Sequence, residues 1–243
     1  MALKPKVKKA GYIRMEYDKF MDAYANQDFE FKYHLMGKLA FGNAKLPKDT
    51  VIFNMGSGTD CPSKRLGMCE VINAGVKCYA INAEIQYKDV LSYRRRSEVY
   101  WKSVTAEEFC DDLIKLTTGK YFFDKEKLKG QRKTYYVIKQ LRLNESGDLD
   151  TQEDFTKAVK VANILWEQYG MRTYMYTARK DLNLKNFGHL NVNGSGFMVT
   201  NNYRAVPAVP FPLKADEREC KCDCKRCNLC AVAKGKTIYV PYH

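Results

Sequence analysis

The side chains most able to do chemistry in this chain are its nine cysteines, and their placement is uneven. Cys61, Cys69 and Cys78 fall within "TDCPSKRLGMCEVINAGVKCYA", spaced Cys-x7-Cys-x8-Cys. Cys220, Cys222, Cys224, Cys227 and Cys230 crowd into "ECKCDCKRCNLC", and Cys110 stands apart from both groups. Thiolates are soft, strongly donating ligands that select iron–sulfur clusters and zinc. A structural zinc site draws its cysteines as closely spaced pairs. The first group contains no such pair, and its wide spacing suits a loop wrapped round a larger object such as a cubane. The run Cys220-x3-Cys224-x2-Cys227-x2-Cys230 is dense enough to set four thiolates about one cluster. It is nearer to ferredoxin spacing than to a zinc ribbon, which needs a second, distant pair. The expected metal ligands are therefore Cys61, Cys69, Cys78, Cys220, Cys224, Cys227 and Cys230, holding one or two 4Fe–4S clusters. Cys222 reads as a spare or alternative ligand. Zinc is the alternative metal, and disulfides or free thiols are the third reading.

Those cysteines need elements to position them. "TVIFNMGSG" (Thr50–Gly58) is a short β-rich run ending in glycines, a buried strand that leaves into the first cysteine loop. "KCYAINAEIQYKDVLSYRRRSEVYWK" lacks Gly and Pro and predicts one long helix over 77–102. "TAEEFCDDLIKLTTG" predicts a second, capped by Thr105 and stopped by Gly119, with Cys110 as a small buried hydrophobe on its apolar face. "KTYYVIKQLRL" (Lys133–Leu143) predicts a strand that ends at "NESGD". "TQEDFTKAVKVANILWEQYG" (Thr151–Gly170) is the clearest helix, with Gly170 as its stop. "MRTYMYTA" and "HLNVNGS" predict further strands, and the glycine-rich "NVNGSGF" reads as a turn, without the spacing of a phosphate loop. "AVPAVPFPL" is an extended approach to the tail, and "KTIYVPYH" a last short strand. Asp18–Leu39 is loosely helical in pattern.

Strand, loop, helix, strand, helix, strand is the grammar of βα units on a mainly parallel sheet. The expected fold is α/β: a partial β/α-barrel-like sheet with flanking helices and a C-terminal cysteine-rich segment. The expected division is a helical extension over 1–49, the β/α core over 50–213, and the cysteine-rich segment over 214–243 packing back on the core. Such sheets carry function in loops at the strands' C-terminal edge. Cys61, the Asn144–Asp148 turn and Thr177–Arg179 are all predicted to emerge there.

The composition, 45% hydrophobic and 28% charged, is that of an ordinary globular domain large enough to fold without disulfides. The basic start lacks the apolar run of a secretory signal, and no stretch approaches the ~18 apolar residues of a membrane helix. The expected setting is cytoplasmic and free of membrane, where clustered cysteines hold metal more often than they bridge. A net charge of +13 attracts polyanions, which makes nucleic acid a candidate partner through the basic surface. "YRRRSEVYW" (Tyr93–Trp101) interleaves cations with aromatics, as phosphate contact plus base stacking requires. Arg94, Arg95 and Arg96 cannot all share one helix face, however.

With these residues assembled, the chain resembles the phage "gene product eighty-eight" family of viral and plasmid proteins. The resemblance is carried by "DCPSKRLGMCEVINAGVKCYA", "LRLNESGDLDTQEDF", "YMYTARKDL", "NVNGSGF" and "CKRCNLC…YVPYH", in that order. It spans most of the chain from about Thr50 onward. It implies a 4Fe–4S protein of viral origin, working in the host cytoplasm, without supplying a reaction. The first cysteine segment is also similar to phage proteins with a three-cysteine "CYA" motif that resemble radical S-adenosylmethionine enzymes. Those enzymes use Cys-x3-Cys-x2-Cys after the first strand and leave one iron open to the cosubstrate. Here the loop is in the matching place with x7 and x8 spacing, while the x3, x2 spacing occurs at Cys220, Cys224 and Cys227, after the sheet.

On the radical-enzyme reading, S-adenosylmethionine is a second cofactor and Glu145, Asp148 and Arg179 are its candidate binding residues. A carboxylate would take its amino or ribose group, and Arg179 an anionic group. Without it, Glu145 and Asp148 belong to a polar turn in which Gly147 bends the backbone and Asp148 orders the following helix. Arg179 then offsets cluster charge or reaches solvent. No catalytic residue is assigned. The functional readings are a redox or radical-enzyme-like iron–sulfur protein with a redox partner, and a basic nucleic-acid-binding module with structural zinc.

Overall fold

The computed structural model describes residues 39–47, 49–118 and 138–241. An eight-stranded sheet organises them. In chain order its strands are β1 (Ala40–Phe41), β2 (Thr50–Phe53), β3 (Gln140–Leu143), β4 (Arg172–Thr177), β5 (Leu190–Ser195), β6 (Asn201–Val206), β7 (Glu217–Glu219) and β8 (Thr237–Pro241). Across the sheet the order is β1-β2-β3-β4-β5-β6-β8-β7. Only β1 runs antiparallel, pairing Ala40 with Ile52, so seven strands form the parallel, barrel-like arrangement expected. β7 and β8 join that same sheet, with β8 between β6 and β7.

The helices are α1 (Pro62–Arg65), α2 (Glu70–Asn73), α3 (Tyr79–Gln86), α4 (Val90–Ser103), α5 (Ala106–Thr118), α6 (Gln152–Tyr169) and α7 (Leu229–Val232). α6 is the element most completely encoded locally. Thr151 and Asp154 form a reciprocal capping box, and Gly170 stops the helix in the left-handed region at φ 62°. At α5, Glu108 donates its amide to Thr105 Oγ1 while its carboxylate accepts the Thr105 amide.

Strand alternation sorts side chains to two unlike faces. Val51, Phe53, Leu141, Leu143, Met175 and Val192 point to the helices and join Phe155, Ala158, Val161 and Leu165 of α6 in the core. Phe53 lies 4.9 Å from the Phe109 ring and 6.1 Å from both Tyr100 and Trp101. The opposite face carries Gln140, Arg142, Tyr174, Tyr176, Asn191, Asn193, Asn201 and Tyr203, and no helix of the α4–α6 layer covers it. The cysteine-rich tail covers it instead.

Several expectations need correction. The helix predicted over 77–102 is two, because the chain turns at Tyr87–Asp89 between α3 and α4. "NVNGS" is β5 itself, and the turn begins only after Ser195. β6 and β7 were not foreseen. The helical pattern over Asp18–Leu39 lies outside the described residues except Leu39, as do Lys133–Val137 of the predicted third strand. Among the described residues no helix is long and apolar enough to cross a membrane.

Candidate metal centre

The first cysteine group is built from three successive helix starts. Cys61 stands at the N-cap of α1, Cys69 at that of α2 and Cys78 at that of α3. The Ser63 and Lys64 amides face the Cys61 sulfur without closing a cap bond to it, as those of Val71 and Ile72 face Cys69. This explains the long spacing: each interval between cysteines holds one short helix and its return. Burial, and then the Asp148 carboxyl, push the Cys61 thiol up to about 12. Burial also raises the Cys69 thiol, with a smaller push from Cys78.

The loop that carries them is fixed by a buried ion pair. Glu84 of α3 accepts the Gly58 amide at 2.7 Å, the Thr59 amide at 2.9 Å and the Thr59 hydroxyl at 2.6 Å. Arg94 of α4 donates to the same carboxylate at 2.8 Å and to the Ala80 carbonyl at 2.9 Å. Burial opposes charge on Glu84, but these donors outweigh it and hold the carboxyl below its usual range. Arg95 forks onto Asp60, one residue before Cys61, at 2.7 and 3.0 Å. The "YRRRSEVYW" run is thus spent on scaffold: Arg94, Tyr100 and Trp101 are buried, and Arg95 grips the cysteine loop. Of its three aromatic residues, Tyr100 and Trp101 have no face left for a base, while Tyr93 is half-buried.

Three strand ends meet this loop. Asp148 accepts from Ser63 Oγ of α1, from the Ala178 amide at 2.8 Å and from the Leu149 amide at 2.8 Å. It latches the Cys61 helix to the ends of β3 and β4, and burial raises its pKa. Gly147 lies at φ 74°, where a Cβ would come within 2.7 Å of the Gly56 backbone, so the turn can approach the cysteine loop only as glycine. Glu145 accepts from Asn43 at 2.9 Å and stands 3.8 Å from Arg142. Arg179 donates to the Leu149 and Asp150 carbonyls at 2.6 and 2.9 Å and forks onto Asp181 at 2.8 Å. Cys61, Asp148 and Arg179 are therefore gathered at one edge, but the polar atoms of Asp148 and Arg179 are engaged within the chain.

The second group occupies the polar face of the sheet. Cys220, Cys222, Cys224, Cys227 and Cys230 all line one cavity of about 40 Å³, with Gln140, Arg142, Tyr174 and Tyr176 behind them. Asn191 and Asn193 both donate to the Cys230 carbonyl, at 2.7 and 2.9 Å. Asn201 donates to the Ala233 carbonyl at 2.8 Å, and Gln140 to Asn228 at 2.9 Å. Four buried amide side chains thus grip the segment around α7. Burial pushes Cys230 up to about 12, against the Tyr176 hydroxyl and Arg142, which favour its thiolate. Cys220 is raised to about 11 by burial and by Cys222 and Cys224.

No protein family, curated protein or solved structure matches this chain. The assignment of the two cysteine groups accordingly rests on their own geometry. Among the described residues no three Cys, His, Asp or Glu side chains converge tightly enough to hold a single ion. The five tail thiols line one shared cavity, and the first three stand at successive helix starts. Cys110, buried under α6 with its sulfur 3.8 Å from the Val161 carbonyl, belongs to neither set. Sequence reasoning missed the amide ladder of Asn191, Asn193 and Asn201. Its one signal is asparagine at alternate positions in "LNVN", the period of a strand whose two faces differ.

Proposed function

We propose that this protein is a bacteriophage iron–sulfur protein of redox or radical-enzyme-like function. One 4Fe–4S cluster is held by Cys220, Cys224, Cys227 and Cys230, and the Cys61, Cys69 and Cys78 loop offers a second, three-thiolate site. The observation that carries this reading is the single cavity lined by every tail cysteine, closed against a polar sheet face that grips the tail by its backbone. The resemblance to the "gene product eighty-eight" family supports a viral origin and, with it, a setting in the host cytoplasm. When bound, such clusters supply one-electron transfer.

The chain's own residues do the rest. Glu84, Arg94 and Asp148 hold the three-cysteine loop at the sheet edge, and Asn191, Asn193 and Asn201 hold the tail against the polar face. A site with three thiolates leaves one iron to another ligand, which on the radical-enzyme reading is the amino and carboxyl pair of S-adenosylmethionine.

The deciding measurement is iron, acid-labile sulfide and zinc content of protein purified without oxygen, with its visible spectrum. Near-equal iron and sulfide with broad visible absorption is expected. Stoichiometric zinc without sulfide overturns the reading and leaves a basic, zinc-stabilised binding module. Incubation of the dithionite-reduced protein with S-adenosylmethionine then separates the two redox readings: 5′-deoxyadenosine marks the radical enzyme, and its absence from cluster-loaded, reducible protein marks an electron carrier.

A further inference from the structure

The tail cavity contains an incompletely paired cation. Arg142 projects from β3 onto the polar face, and only 17% of its side chain is exposed. Its Nε is buried and without a partner. The Glu145 carboxylate lies 3.8 Å away, beyond hydrogen-bond length. The guanidinium carbon sits 5.1 Å over the Tyr176 ring, whose face offers a quadrupole and not a charge. A guanidinium with a buried, unbonded Nε and only one long ion pair is incompletely compensated for its burial. Yet Arg142 lines the cavity shared with Cys224 and Cys230, and four thiolates round an iron–sulfur core carry net negative charge. The incompletely paired cation and the surplus charge belong to one cavity.

We propose that Arg142 is the built-in counter-charge of the tail cluster and raises that cluster's reduction potential. The inference rests on the cluster reading above and adds a role for a residue that ligates nothing. One-electron reduction by an external reductant such as dithionite adds one negative charge to the cluster. A guanidinium at the cavity wall stabilises that product more than the oxidised state, and low local polarity strengthens the effect. Cys61, Cys69 and Cys78 do not line the Arg142 cavity, so a cluster held by them is expected to shift less than the tail cluster.

The test is an anaerobic potentiometric titration, followed by electron paramagnetic resonance, of the full chain, of Arg142→Gln and of Arg142→Lys, with iron and sulfide measured on each. In R142Q the reduced-to-oxidised ratio of the tail cluster at a fixed potential is expected to fall about tenfold, which is about 59 mV for a one-electron couple. R142K is expected to stay near the parent value. Loss of the tail cluster from R142Q with retention in R142K supports the same counter-charge. An unchanged potential in cluster-loaded R142Q overturns the proposal, as does equal loss of the cluster from both variants, which would make Arg142 a packing support. Absence of iron and sulfide from the parent chain would instead fell the cluster reading itself.

Discussion

Asn193 donates one amide hydrogen to the Cys230 carbonyl at 2.9 Å and another to the Met175 carbonyl at 3.1 Å. A residue in the middle of the sheet thus holds the backbone of the last tail cysteine. Asn193→Ala is expected to cost about 1–3 kcal/mol, the range for stranding buried carbonyls. With Asn191 still in place the loss is partial, so the double variant N191A/N193A should free the tail further. Alkylation rates of the nine thiols, read by mass spectrometry in metal-free protein, check this: Cys227 and Cys230 should label faster while Cys61 and Cys110 hold their rates.

Glu84 is the anchor of the other cysteine group. Glu84→Gln leaves Arg94 buried beside a neutral amide and is expected to cost about 3–5 kcal/mol. Chemical denaturation measures it, and the iron bound by the three-cysteine loop should fall with it.

The same carboxylate gives a pH dependence. Its folded pKa lies below its usual value of 4.5, so the folded state binds fewer protons than the unfolded one as that range is crossed. The stability it contributes is therefore complete above about pH 4.5 and is lost as pH falls through the folded pKa. Urea titrations of parent and E84Q from pH 6 to about pH 3 should converge at the acid end.

Gly147→Ala places a methyl against the Gly56 backbone in a left-handed conformation. The expected cost is about 1–3 kcal/mol. Thermal unfolding reads the cost, and a lower metal content without loss of fold would show that the turn and the cysteine loop are one unit.

Cys222 and Cys230 both line the tail cavity, but only Cys230 sits in the four-cysteine run proposed as ligand set. Cys222→Ser is expected to keep the parent's iron and sulfide. Cys230→Ser should lose the tail cluster and leave the visible spectrum of the first site. Equal losses in both variants would bring Cys222 into the ligand set.

Local signals served best where an element is satisfied by its own residues. The capping box at Thr151, the stop at Gly170 and the apolar run Val51–Phe53 each announce themselves within a few positions, and each marks an element of the structure. The break between α3 and α4 was hidden because Tyr87, Lys88 and Asp89 contain neither Gly nor Pro. β6, "NNYRAV", begins with two residues of low strand propensity. Its first asparagine is at home there because the Ala233 carbonyl, far along the chain, accepts its amide hydrogen. The candidate site divides the same way. The cysteines were legible as residues, since thiol chemistry is local, but not the engagement of Asp148 by Ser63 and Ala178, nor the cavity behind the tail. Both depend on partners brought in by sheet order.

That order has a consequence for biosynthesis. β8 is the last strand in chain order, yet it lies inside the sheet, and β7 pairs with nothing else there. While the chain is being made, β7 has no neighbour, and the cysteines between the two strands have no fixed far end. The three-cysteine loop, which follows β2, waits only for β3 and β4. The two sites should thus mature in sequence: the loop can be shaped once β4 is made, whereas the tail cavity closes only after β8 has inserted. A chain whose β8 has not yet inserted would then carry a settled loop and an open, protease-sensitive tail.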